Sequence, residues 1–150
     1  MTVPLPRWTY TPGDDRGPDQ ETLDAAKHFV PEHFDPCVPA DHPAFCYGLA
    51  LHDGCFYWEA HEIWEAVWKA APMNGRDRIA LQALIQLANA GLKRRMKRPR
   101  AAERLIEAAS VADRLRAVAL GDGLRNWPHA KPVCLRDFLA AEHEEKCIMA

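Results

Sequence analysis

The stretch from Ile79 to Leu92 constrains this chain more than any other. Its apolar residues, among them Leu81, Leu84, Ile85, Leu87 and Leu92, cover almost the whole circumference of the helix that the sequence predicts from Arg76 to Lys97. A helix apolar nearly all round belongs in the middle of a bundle, packed by others. The run is interrupted by Gln82, Gln86 and Asn89 and is too short to span a bilayer. Those residues and Lys93, with Arg78 one turn before Gln82, form a narrow polar stripe. If the helix is central, the stripe has to meet partners, because an unpaired buried amide costs about 1–3 kcal/mol.

The rest of the chain supplies the companions. Eight of the twelve prolines fall in the first 43 residues, which forbids long helix there and removes sheet donors. Trp8, Tyr10, Phe29 and Phe34 give that segment a reason to dock, so residues 1–43 read as an extended arm lying on the bundle, with a short helix near Glu21 to Val30. Residues 44–150 read as the helical domain. Its helices are expected from Ala44 to Asp53, started by Asp41 or His42 and ended by Gly54, and from Cys55 to Ala71. Others follow from Arg76 to Lys97, from Arg100 to Leu120 after Pro99, and from Leu135 to Lys146. No strand alternation and no fixed-period repeat appears. The class is all-α, an antiparallel multi-helix bundle with a Pro-rich N-terminal arm.

Charge excludes some partners. Nineteen Lys and Arg face 21 Asp and Glu, so no global field draws the protein to nucleic acid or to an acidic membrane. Five cysteines without a CxxC pair, and no apolar leader-like segment, favour reduced thiols in a cytoplasm. The run KRRMKRPR, Lys93 to Arg100, gathers six cations at a helix C-terminus, where the dipole alone favours them. No aromatic lies among them to stack a base, so nucleic acid is not the expected partner.

The segment FYWEAHEIWEAVW, Phe56 to Trp68, holds the chemistry. On a wheel of 100° per residue, Tyr57, Ala60, Trp64, Val67 and Trp68 share one face. His61 sits at its edge and Glu65 beside it one turn later, with Glu62 further round and Glu59 on the opposite flank. The helix across the turn at Asn74 and Gly75 offers Arg78, Gln82 and Gln86, so the leading expectation is a buried polar network. In it Glu62, Glu65 and His61 hold Arg78, Gln82 and Gln86 and fix helix register. Against it stands a metal reading with His61 and Glu65 as ligands and Glu62 placed as in HExxH, although the second histidine is missing. A second set, His42, Cys46, His52, Cys55 and His61, has looser spacing for zinc, and cysteine is most often a small buried hydrophobe.

With Gly54 ahead of it and RIALQALIQLANAGLK behind, this segment resembles the DUF309 family, a bacterial and archaeal group of small helical proteins. The opening LPRWTYTPG resembles the arm of some members. Many members have glycine where this chain has Ala83, and a Pro-His-Pro after the arm is absent here. The resemblance implies an all-helical fold and no reaction. The expected function is a non-enzymatic protein- or ligand-binding module, with Glu59, His61, Glu62, Glu65, Arg78, Gln82 and Gln86 as its binding residues. The alternative is a metal-assisted hydrolase-like enzyme with Glu62 and His61 catalytic. No cofactor and no membrane is implied, and the oligomeric state is open, a homodimer included.

Overall fold

The computed structural model describes residues 3–73 and 76–108. They form five helices: α1 (Gln20–Lys27), α2 (Pro43–Asp53), α3 (Tyr57–Ala70), α4 (Arg76–Arg95) and α5 (Pro99–Ala108). Among the described residues there is no strand. Among the described residues no helix is long and apolar enough to cross a membrane. The architecture is the expected all-α bundle: α3 packs against α2 and α4, α4 packs against α5, and α1 lies on α2 and α3. The expected turn at Asn74 and Gly75, the continuation to Leu120 and the helix from Leu135 to Lys146 lie outside the described residues.

Local chemistry explains where the helices stop and start. His42 is the N-cap of α2, its ring Nδ1 accepting from the Ala44 N–H at 3.2 Å, and Pro43 fills the first helical position where no N–H partner is needed. At the far end Gly54 follows the helix as expected, but the left-handed residue is its neighbour Cys55, at φ 66°. The Cys55 N–H donates to His52 O at 3.0 Å and the Phe56 N–H to Leu51 O at 2.8 Å, the paired bonds of a Schellman ending. The same device closes α4. Lys97 takes φ 60°, its N–H donates to Arg94 O at 3.0 Å, and the Arg98 N–H reaches Lys93 O at 2.8 Å before Pro99 opens α5.

The core is built from Leu23 of α1, Phe45 and Leu51 of α2, Ile63 and Trp64 of α3, and Leu81 and Leu84 of α4, all completely buried. The Trp64 indole N–H donates to Phe45 O at 3.3 Å, so the largest core side chain leaves no buried donor unanswered. Among the described residues, helix α4 packs against α3 on one side and α5 on another. Ala80, Leu81, Ala83, Leu84 and Ala88 are buried, Ile85 and Leu87 are half-buried, and Ile79 and Gln82 are exposed.

The arm is held by specific bonds. The Arg7 N–H and Nε donate to Asp19 Oδ2 at 2.9 and 3.1 Å, and its Nη2 donates to Oδ1 at 2.8 Å, clasping the segment between them into a loop. Thr22 Oγ1 adds a bond to Asp19 Oδ2 at 2.9 Å. The Asp19 side chain is buried, and the Arg7 bonds hold its carboxyl far below the ordinary carboxylate range. Inside the loop, Trp8 Nε1 donates to Gly17 O at 2.8 Å and Arg16 covers the Trp8 ring at 3.7 Å. Further along, the Phe34 N–H donates to Ala70 O at 2.8 Å and the Val38 N–H to Asp77 Oδ2 at 3.1 Å. Cys46 and Cys55 are free thiols, whereas Cys37 is disulfide-bonded. The reduced state expected for all five cysteines does not hold there, and the thiol pattern alone no longer argues for a reducing compartment.

Candidate functional site

Helix α3 divides its polar residues between two surroundings. Ala60, Ile63, Trp64 and Val67 turn into the core, and the residues that cannot follow them are left on the outer side. His61, Glu62 and Glu65 are there, 21%, 28% and 39% exposed. His61 Nε2 lies 3.0 Å from Glu65 Oε2, the geometry that i,i+4 spacing on a helix provides. His61 Nδ1 lies 3.7 Å from Glu62 Oε1, too far for a hydrogen bond, and makes none. Lys27 of α1 reaches Glu62 Oε2 at 3.2 Å and Lys69 reaches Glu65 Oε1 at 3.3 Å. The result is a ladder of polar contacts across α1 and α3: Lys27 with Glu62, His61 with Glu65, and Glu65 with Lys69, His61 standing between the two acids.

One donor atom from each of His61, Glu62 and Glu65 lies within 4.8 Å of the others, so the three could share a divalent cation. All three come from a single helix, and both carboxylates already face an ammonium group, which a metal would have to displace. A zinc or hard-cation site of usual completeness takes at least one further ligand or ordered water.

The network expected with α4 is not formed. Arg78 donates from Nε to Ala71 O and from Nη2 to Lys69 O, each at 3.3 Å, and its guanidinium lies 4.6 Å from the centre of the Trp68 ring. The cause is register: the first turn of α4 faces the last turn of α3, where the final carbonyls lack helical partners. Glu62 lies two turns back along α3 and out of reach. Gln82 faces solvent, and Gln86 is half-buried with its Oε1 unpaired.

Glu59 departs furthest from its expected place. The wheel puts it on the flank away from the core, yet the arm covers that flank and buries it completely. Its Oε2 accepts the Tyr10 N–H at 2.8 Å, while Oε1 has no partner. Burial raises its pKa, opposed by the Tyr10 bond. Beside it the Tyr10 and Trp58 rings meet edge to face at 4.9 Å. Arg95 donates to Thr9 Oγ1 at 2.9 Å and to Cys55 O, and lies 5.0 Å from the centre of the Tyr57 ring. One member of the basic run therefore pins the arm.

The set His42, Cys46, His52, Cys55 and His61 does not assemble as ligands among the described residues. His42 caps α2, and His52 stacks on Trp64 at 5.9 Å with its pKa lowered by burial. Cys46 Sγ donates to Ala40 O at 3.5 Å, and burial pushes its thiol up to about 11. Cys46 also borders an apolar cavity of about 290 Å³ between arm, α1 and α2, lined with Val3, Ala26, Phe29, Ala44 and Tyr47.

Sequence reasoning missed Lys27 as the partner of Glu62 and Asp77 as the acceptor for Val38. Both contacts join segments more than thirty residues apart, and neither leaves a periodic trace. Asp19 stands at the N-cap position of α1, where an acid is a capping candidate, yet its carboxylate makes no capping bond and is taken up by Arg7 and Thr22 instead.

A family model described as a domain of unknown function, DUF309, matches residues 45–105. No curated protein and no solved structure matches the chain. The matched span runs from the first turn of α2 into α5 and contains His61, Glu62, Glu65 and Lys69 but not Lys27 of α1. Over that span the chain is similar to the DUF309 family.

Proposed function

We propose that this protein is a non-enzymatic binding module that engages a partner protein through the outer face of α3. The observation that carries the reading is the ladder Lys27, Glu62, His61, Glu65, Lys69. Its groups are paired sideways along a half-exposed helix face, which opens toward Lys69 at 68% exposure. Such a row presents both signs of charge at fixed spacing, which favours orientation and partner choice over strong affinity. A nucleophile or base needs a second group converging on it, and the row supplies its own lysines instead.

A second reading, metal-assisted hydrolysis with Glu62 as base and His61 and Glu65 as ligands, is favoured by the 4.8 Å grouping and the unpaired His61 Nδ1. Two measurements separate them. Affinity capture with the wild type should retain a stoichiometric partner that Glu62→Lys with Glu65→Lys loses while helical circular dichroism is unchanged. Calorimetry with Zn²⁺ or Mn²⁺ should show no one-to-one binding tighter than about 10 μM. Micromolar binding abolished by His61→Ala would transfer the case to the metal.

A further inference from the structure

Seven of the chain's 19 Lys and Arg lie within twelve residues, Lys93 to Arg104, and only one acid, Glu103, lies among them. The remainder of the chain is correspondingly acidic. The structure shows how these cations are disposed. Arg95 is engaged with Thr9 and the α2–α3 turn. Arg94, Lys97, Arg98, Arg100 and Arg104 are exposed, and none forms an ion pair with a described carboxylate. Arg104 uses its Nε on Arg100 O at 3.4 Å, which leaves its outer nitrogens free.

The Schellman ending of α4 matters here. It answers the carbonyls of Lys93 and Arg94 internally, so that end of the helix offers an approaching anion fewer bare oxygens. It also turns the chain within three residues, so the last turn of α4 and the first of α5 carry their cations at one end of the bundle.

From this disposition we infer that the α4–α5 end is an electrostatic docking surface for the phosphodiester backbone of a nucleic-acid duplex. Five of the seven cations are arginines, whose planar forks match phosphate oxygens. The exposed cations are spread over the end of one helix and the start of the next, which suits a line of repeated charges better than one small anion. Arg100 and Arg104 stand about 6 Å apart along α5, the rise of four helical residues. Neighbouring phosphates of one strand advance ~3.4 Å along the duplex axis and lie further apart in space as the strand winds, so charges at this spacing can meet neighbouring phosphates. The lack of an aromatic among these cations, which argued against base stacking, fits backbone contact that reads no sequence. The surface is separate from the α3 ladder, so this inference and the proposed function stand or fall independently.

The test uses the full chain and labelled 20-base-pair duplexes, one DNA and one RNA, by fluorescence anisotropy. Binding at 50 mM salt is expected to weaken about 100-fold by 200 mM, the slope of roughly four neutralised phosphates at ~0.9 each. Arg94→Ser with Arg98→Ser and Arg100→Ser should reduce affinity more than tenfold and flatten that slope, with an unchanged circular dichroism spectrum and melting temperature. Preference for one duplex identifies the source of the backbone. Absence of binding to both duplexes overturns the inference, and so does binding that the triple variant leaves unchanged. Competition by poly-glutamate as effective as unlabelled duplex also overturns it, since the surface would then read an acidic polypeptide.

Discussion

Gly48 of α2 lies flat against the indole of Trp64 on α3: a Cβ built on Gly48 would stand 2.2 Å from Trp64 Nε1. The two helices approach this closely because nothing but backbone separates them at that point, and the indole N–H uses the proximity to reach Phe45 O. Gly48→Ala gains up to about 1 kcal/mol of helix propensity. It must also displace a completely buried ring, and overpacking of that kind costs about 1–3 kcal/mol or more. A net loss of about 2 kcal/mol in denaturant titration is expected. Gly91→Ala meets the Tyr57 ring at 2.6 Å, but that ring is only half-buried and can swing aside. Its cost should stay under about 1 kcal/mol, and equal losses at the two sites would show that ring mobility is not what separates them.

The relocation of Arg78 changes what Glu62 contributes. A glutamate holding a buried arginine would cost ~2–4 kcal/mol on truncation. A glutamate paired at the surface with Lys27 should cost less than about 1 kcal/mol. Double-mutant cycles are the direct check: Glu62 and Lys27 should couple by about 0.3–1 kcal/mol, and Glu62 with Arg78 by nothing beyond error. The Lys27 coupling should shrink in 1 M salt.

Glu59 sets a pH dependence of known sign. Its folded pKa is raised by burial. Such a group lends stability that is fully present below its unfolded pKa of ~4.3 and is lost as pH rises through the folded value. Glu59→Gln removes that loss, so the difference in urea midpoint, variant minus wild type, should grow from pH 4 upward. Asp19 runs the other way, with stability present above ~3.9 and lost only in stronger acid. A midpoint difference that stays flat from pH 4 to 7 would mean the Glu59 carboxyl is not desolvated.

Lys97 holds a left-handed conformation that costs an L-residue roughly 1–2 kcal/mol and glycine almost nothing. Lys97→Gly should raise stability by about 0.5–1 kcal/mol after the added unfolded-state entropy is subtracted. The denaturant slope should not change.

Helix positions were readable from the sequence because their punctuation is local. Pro43, Gly54 and Pro99 act within one turn, and the boundaries they announce fall within a few residues of those observed. What was not readable is non-local. The wheel placed Glu59 correctly relative to its own helix and wrongly relative to the molecule, because it knows nothing of an arm arriving 49 residues earlier. Arg78 and Gln82 were sent to Glu62 and Glu65 on the strength of a shared turn, yet a shift of two turns in register decides which groups meet. The three residues of the candidate site were found together since i,i+1 and i,i+4 spacing is itself geometry.

The Arg7 to Asp19 clasp makes the arm a buckle instead of a tail. Its two ends are fixed, its flank is fastened at Tyr10, and the residues at its tip, Pro12 to Asp15, are exposed. A closed loop lengthens at only a slow logarithmic cost in entropy. The tip is therefore where this protein can be extended, by a reporter peptide or a crosslinking group, without loosening the helices.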